Sequence, residues 1–245
     1  RHLFLRSFPG NGDSGTVMTF TLDSVVPWGR SFHEYLQFFD LSTDDLHKRI
    51  LGCADGPAGF NCELTARGGS VVSCDPLYQY SGEEIQSRID ACCPTIFEQV
   101  TRNRDLFVWK TIRSLKDLRE WRFSAMKVFL ADYGQGRREG RYCAAALPDL
   151  PFAGDSFDLA ICSHFLFYYS DTLSRDFHEA AIREMLRIAP EVRIFPLVDL
   201  NGRVSTYRDP LVTSLQKNGY EVTIRDVRYE FIKGGNQMMS VARKN

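Results

Sequence analysis

The sequence predicts an α/β fold: a doubly wound, mostly parallel sheet with a C-terminal antiparallel hairpin and a helical insertion after the second strand. Three observations predict it. RILGCADGPAGFNCELTARGGSVVSCDP, residues 49–76, reads as strand, glycine-rich turn, helix, turn and strand, and it ends on an acid. SFDLAICSHF, residues 156–165, is a near-continuous apolar run of the kind buried on both faces of a parallel sheet. Strand and helix patterns alternate along the chain, which is the order of a doubly wound sheet.

The elements follow in order. Ser31 to Phe39 is a short apolar-aromatic helix, and Thr43 to Lys48 reads as another. A strand near 49–53 leads into Ala54, Gly56, Ala58 and Gly59, small residues that let backbone approach a ligand closely. A helix near 58–67 is stopped by Gly68-Gly69, and a strand near 70–74 follows. Asp75 lies 19 residues after Gly56, close to the ~20-residue spacing of an acid that grips a ribose. A long, mostly helical stretch covers about 82–138, then a short strand covers Tyr142 to Ala145. The 156–165 strand precedes a helix from Leu173 to Arg187, with Phe177, Ala181, Met185 and Ile188 at helical spacing. Glu191 to Leu197 is a strand, and Pro210 to Lys217 a helix ended by Asn218-Gly219. Tyr220 to Val227 and Gln237 to Ala242 are strands around the turn Lys233-Gly234-Gly235-Asn236.

At 245 residues the chain fits one domain with an insertion, and its 44% apolar content is ordinary for a packed core. Residues 18–245 read as that single domain. Residues 1–17 lack Met and signal-peptide order, are made loop-like by Pro9, Gly10, Asn11, Gly12 and Gly15, and read as a flexible leader with Met18 as a plausible start. A net charge of −1 argues against a general nucleic-acid binder, and no apolar run approaches the ~18 residues of a membrane span. Seven irregularly spaced cysteines without a CxxC pair argue against a zinc site, and no metal is expected. Free thiols in a reducing cytoplasm are the simple reading, with Cys53, Cys74 and Cys162 as small strand hydrophobes.

Over sixty residues separate Asp75 from the strand at Tyr142, whereas a crossover needs about a dozen or more. Residues 99–127 of this insertion hold eight cations against three acids. Leu115, Leu118, Trp121, Ala125 and Phe129 form the apolar side of an amphipathic helix, with Lys116, Arg119 and Arg122 as a basic stripe on another face. Such a stripe is either a solvated face or a cap that attracts an anion.

Three separated pieces, in this order, resemble the class I S-adenosylmethionine (SAM)-dependent methyltransferases: ILGCADGPAGF followed by Asp75; LPDLPFAGDSFDLAICSHFLFYY at 147–169, similar to that family's "LPF…SFD" segment and fourth strand; and YEFIKGGNQMMSVA at 229–242, similar to its closing hairpin. The resemblance implies SAM as cofactor and S-adenosylhomocysteine (SAH) as product. It implies cofactor contacts at Gly52, Cys53, Ala54, Asp55, Gly56 and Pro57, with Asp75 on the ribose hydroxyls and Pro76 and Leu77 at the adenine face. Leu147 would offer backbone to the adenine edge, Ser163 and His164 would face the transferred methyl, and Arg30, in a leading segment with Trp28 and Tyr35, would meet the SAM carboxylate. Three positions depart from the family pattern. Gly52 stands where an acid usually helps hold the methionine ammonium, with Asp55 as its candidate substitute. Ala54 replaces the first glycine, which requires a negative φ there. Ala146 stands where an acid often meets the adenine amino group.

The sulfonium already activates the methyl, so alignment and exclusion of water are the protein's main tasks. Where the acceptor must lose a proton, His164 is the candidate base, because histidine titrates near neutrality. A small-molecule acceptor is expected, and the absence of an Asn-Pro-Pro-Tyr-like tetrapeptide at His164-Phe165-Leu166-Phe167 argues against a nucleic-acid base. Two alternatives stay open: an NAD(P)-binding Rossmann oxidoreductase, since Ala54-x-Gly56-x-x-Gly59 approximates G-x-G-x-x-G, and a non-catalytic SAM-binding module.

Overall fold

The computed structural model describes residues 25–244, so the leader expected at 1–17 and Met18 lie outside the described residues. A seven-stranded sheet organises the chain: β1 (Arg49–Cys53), β2 (Ser70–Cys74), β3 (Tyr142–Cys143), β4 (Leu159–Ser163), β5 (Glu191–Phe195), β6 (Tyr220–Asp226) and β7 (Gln237–Arg243). Its order is β3-β2-β1-β4-β5-β7-β6. The first five strands run parallel, and β7 runs antiparallel to both β5 and β6. The expected fold class is therefore the observed one. The order reverses between β1 and β4, which opens a crevice at their carboxyl ends, where doubly wound sheets bind ligands.

Among the described residues six α-helices surround the sheet: α1 (Phe32–Phe38), α2 (Phe60–Ala66), α3 (Gly82–Arg102), α4 (Leu115–Arg138), α5 (Arg175–Ile188) and α6 (Arg208–Lys217). Strand residues alternate between the two faces. Leu51, Cys53, Ala160, Cys162, Val192 and Ile194 pack with α5 and α6. Ile50, Val71, Leu159, Ile161 and Phe195 pack on the opposite face against α1 and α2. Ser31 caps α1 by accepting from the Glu34 N–H while the Glu34 carboxylate accepts from the Ser31 N–H, so the Ser-x-x-Glu pattern fixes where the helix starts. The leading segment is pinned to β5 by the buried Arg193, which donates to the Phe39 carbonyl and to Asp45.

The structure corrects several expectations locally. Thr43 to Lys48 contains only a 3-10 turn, Asp45–His47. The 156–165 strand is limited to Leu159–Ser163, because His164 turns the chain with φ 50°. The short strand ends at Cys143, and the strand from Glu191 ends at Phe195. The closing hairpin has a ten-residue connection, 227–236, rather than a tight turn. That connection reaches the insertion, where the Val108 N–H donates to the Phe231 carbonyl and the Lys233 N–H to the Leu106 carbonyl. Arg122 is not on a basic surface stripe: it is 1% exposed and forms an ion pair with Glu34. Lys116 and Arg119 are exposed as expected. Arg122 faces inward because two steps of three residues carry it about 240° around the helix from Lys116, off the exposed face and toward α1.

Candidate functional site

The carboxyl ends of β1, β2 and β4 bring together most residues singled out from the sequence. Gly56 has φ +54°, a left-handed conformation that suits glycine. Ala54 has φ +55°, the opposite of the sequence expectation. A non-glycine residue there costs about 1–2 kcal/mol, and the turn is held in place by the Ala54 N–H donating to the Cys74 carbonyl at 2.8 Å.

Asp75, half-buried at the end of β2, locks the turn from the other side. Its Oδ2 accepts from the Gly56 N–H at 2.9 Å and its Oδ1 from the Leu77 N–H at 2.7 Å. Each oxygen keeps lone-pair capacity for one further donor. Burial outweighs these two hydrogen bonds and raises its pKa to about 6. The Tyr78 hydroxyl donates to the Gly56 carbonyl at 2.7 Å and closes the arrangement.

Asp55 occupies the place that a side chain at position 52 would need. A Cβ on Gly52 would lie 1.8 Å from Asp55 Oδ2. The carboxylate accepts from the Tyr35 hydroxyl at 2.8 Å and the Ser73 hydroxyl at 2.6 Å. Its pKa is also raised to about 6, mainly by burial, with Asp75 adding to the rise. Gly52→Ala should therefore force Asp55 off Tyr35 and Ser73 and cost about 1–3 kcal/mol, as overpacking does; urea unfolding at an unchanged m-value checks this. Ser73 was not legible as a site residue, although the register that places it beside Gly52 follows from the strand pairing.

The leading segment lies over this turn. The Gly59 N–H donates to the Arg30 carbonyl at 2.9 Å, and a Cβ on Gly29 would lie 2.1 Å from the Pro57 carbonyl oxygen. Pro76 is exposed and Leu77 half-buried beside Asp75. Gly52 is buried, and the fully buried Cys53 side chain faces the α5 side of the sheet, so that thiol belongs to the core and not to the site. Leu147 likewise turns its side chain into the core, leaving its backbone on the loop after β3. A surface groove of about 600 Å³ between that loop and α5, lined by Ala145, Asp149, Glu184 and Arg187 among others, is separate from the turn and lacks its acid.

At the end of β4, Ser163 is buried and its Oγ lies 2.8 Å from His164 Nδ1. The His164 ring packs edge-on against Phe38, Phe195 and Tyr168, with centroids 4.9, 5.4 and 5.3 Å away. Burial, with Arg30 and Arg122 nearby, pushes its pKa well below 6.5. This corrects the expectation of titration near neutrality: the imidazole is neutral at pH 7 and a weak base.

Behind His164 stands a polar cluster that the sequence did not reveal. Glu34 is fully buried and forms an ion pair with Arg122 at 2.7 Å, and the Tyr229 hydroxyl donates to Glu34 at 3.0 Å. The Ser-x-x-Glu spacing of Ser31 and Glu34 is the one sequence signal that could have pointed to this glutamate, as a cap partner. Its pairing with residues 122 and 229 spans too much sequence for local pattern to show. Among the described residues no group of His, Cys, Asp and Glu is arranged to hold a metal ion, and no helix is long and apolar enough to cross a membrane.

No family model matches the chain. The Methanocaldococcus jannaschii protein described as uncharacterized protein MJ0045 is 31% identical over 227 residues, which cover 91% of this chain and 98% of that protein. Among solved structures, magnesium protoporphyrin IX methyltransferase from Synechocystis PCC 6803 with bound SAM is 11% identical, with 87% of this chain and 78% of that one covered and a TM-score of 0.46. The PH0226 protein from Pyrococcus horikoshii OT3 is 12% identical, with coverages of 87% and 91% and a TM-score of 0.46.

Proposed function

We propose that this chain, which belongs to the family of the M. jannaschii protein MJ0045, is a SAM-dependent methyltransferase acting on a small-molecule acceptor. The observation that carries the reading is the Asp75 carboxylate. It stands at the carboxyl end of β2, tied by the Gly56 N–H to the glycine-containing turn and by the Leu77 N–H to the short turn it caps, with an acceptor site left on each oxygen. That is what a pair of ribose hydroxyls requires. The residues present fit the cofactor: Gly56 leaves open backbone where the nucleoside would lie, and Asp55 supplies an anion for an ammonium group.

When bound, SAM supplies a methyl carbon activated by its sulfonium. Within this reading, Asp75 holds the ribose, and Gly52 to Pro57 form the floor under the methionine and ribose. Asp55 replaces the acid missing at position 52. Pro76 and Leu77 border the adenine face, and the Leu147 backbone its edge. The segment over the turn excludes water. Ser163 and the neutral His164 shape the space beyond the sulfur, where His164 acts as a hydrogen-bonding wall and takes a proton only from an acidic acceptor. Seven free thiols fit a reducing cytoplasm.

The nicotinamide alternative asks more of this turn than it offers. A dinucleotide pyrophosphate sits on the N-terminus of the helix after the first strand. Here the Gly59 N–H at that N-terminus is already taken by the Arg30 carbonyl. Isothermal titration with SAM, SAH and NAD tests the reading. SAM and SAH should bind and NAD should not; NAD binding without SAM binding would overturn it.

A further inference from the structure

A chain of side-chain hydrogen bonds runs from α4 to Asp55 through residues that do not touch the glycine-rich turn. Asp132 on α4 accepts from Arg141 Nη1 at 2.7 Å and from its Nη2 at 2.8 Å. The same Nη1 donates to Asn61 Oδ1 on α2 at 2.8 Å. Asn61 is buried, and its Nδ2 donates to Ser73 Oγ at 3.1 Å and to the Arg141 carbonyl at 3.0 Å. The Ser73 hydroxyl then donates to Asp55 Oδ2 at 2.6 Å.

The chemistry of each link sets the direction of the next. A guanidinium only donates, so the Asn61 atom that faces it is the amide oxygen. The amide nitrogen then faces the Arg141 carbonyl, which only accepts, and Ser73 Oγ. Ser73 receives that N–H and has one hydrogen of its own, which is left for Asp55. Asp55 Oδ2 therefore meets a hydrogen already in place and cannot carry a proton toward Ser73. A proton on Oδ1 would displace the hydrogen of the buried Tyr35 hydroxyl. Asp55 depends on these two donors. Tyr35 on α1, Asp75 and Tyr78 beyond β2, and the thiols of Cys53, Cys74 and Cys162 on the strands face it, and none of them is a cation. Burial and Asp75 raise its pKa, and only the Ser73 and Tyr35 hydrogen bonds oppose the rise.

We propose that Arg141 and Asn61 are positioning residues that act through Ser73 to keep Asp55 ionised, ready to accept from the ammonium of the cofactor. This deepens the SAM-binding reading and rests on it only for the identity of that ammonium. Arg141 contributes through its lack of any acceptor, which orients the amide, and Asp132 holds it in place with two parallel bonds. Asn61 contributes through the two unlike ends of that amide. A glutamine at position 141 could present either end of its own amide to Asn61 and would set no direction.

NMR titration of the unliganded protein, following the Asp55 carboxyl carbon and the Asn61 side-chain amide, tests the assignment. In the parent the Asn61 amide should move with the Asp55 midpoint, about pH 6. An Asn61 amide that ignores pH across that midpoint would overturn the proposal without needing any variant to fold. Asn61→Ala and Arg141→Gln should each raise the Asp55 midpoint by about one pH unit, and Ser73→Ala by at least as much. An unmoved midpoint in a folded Asn61→Ala or Arg141→Gln protein would also overturn it. Calorimetry with SAH adds the ligand. Asn61→Ala should bind SAH about fivefold more weakly than the parent at pH 6, where a one-unit rise cuts the ionised fraction from about half to about a tenth, and about equally at pH 8.5. The same weakening at both pH values would mean a merely structural role and would sink the proposal. A raised Asp55 midpoint with parent-like SAH affinity at pH 6, or a parent that binds neither SAH nor SAM, would sink the ammonium assignment and leave the control of Asp55 standing.

Discussion

Asp75→Asn should weaken SAM binding about a hundredfold while raising the thermal stability of the unliganded protein at pH 7. The first effect is the loss of two charge-assisted hydrogen bonds to the ribose, each worth roughly 1.5–3 kcal/mol. An amide keeps one acceptor oxygen, and its NH2 replaces the other, facing either the Gly56 or the Leu77 N–H as a second donor. The second effect follows from the direction of the pKa shift. Burial raises Asp75 to about 6, so its charged form is disfavoured in the folded state. Removing the charge removes that penalty. Calorimetry and a thermal melt on the same sample decide it: parent-like SAM affinity would exclude the ribose role, and unchanged stability would exclude the desolvation.

Asp55 shares this behaviour and sets the pH dependence. Its folded pKa of about 6 lies above the unfolded 3.8. Between those values the folded chain binds more protons than the unfolded one, so stability falls as pH rises through that window. Above about pH 6 the full penalty is present, about 3 kcal/mol for Asp55 at 1.36 kcal/mol per unit. A ligand ammonium relieves it. The two acids thus place an electrostatic load on the site, and a cationic, ribose-bearing ligand should relieve it.

Sequence reading reached the fold and the glycine-rich turn with Asp75 beside it for a definite reason. Strand alternation, the glycine-rich turn and the spacing to Asp75 are local or nearly so, and the alternating elements leave few topologies. Asp55 was visible as an acid inside the turn, yet only the register of β1 on β2 places Ser73 beside it and shows the carboxylate filling the space over Gly52. The left-handed Ala54 ran against residue preference because the turn is fastened at both ends. Arg122 read as surface because its charge outweighed the helical phase that points it inward. Its partners come from α1 and the β6–β7 connection, and no local period records such a meeting.

Arg122→Leu should cost about 3–5 kcal/mol of stability, the usual cost of leaving one member of a buried ion pair behind. Glu34 is fully buried, and burial alone would raise its pKa; Arg122 and Arg30 outweigh that and hold it below the usual carboxylate value. Without Arg122 the carboxylate has only Tyr229, its own cap and the more distant Arg30. The double variant Glu34→Gln/Arg122→Leu should recover most of the loss, because glutamine still serves the Ser31 cap and no carboxylate is left buried without Arg122. Urea unfolding of the two single variants and the double yields the coupling directly; additive costs would mean that the pair contributes nothing as a pair. The pair also matters for the site. Glu34 lies on α1, Arg122 on α4 and Tyr229 on the connection between β6 and β7, so one buried contact joins three elements above the end of β4. Breaking it loosens the joint between these three elements beside His164, so the single variant that still folds should melt below the parent, and the double variant should melt above the single.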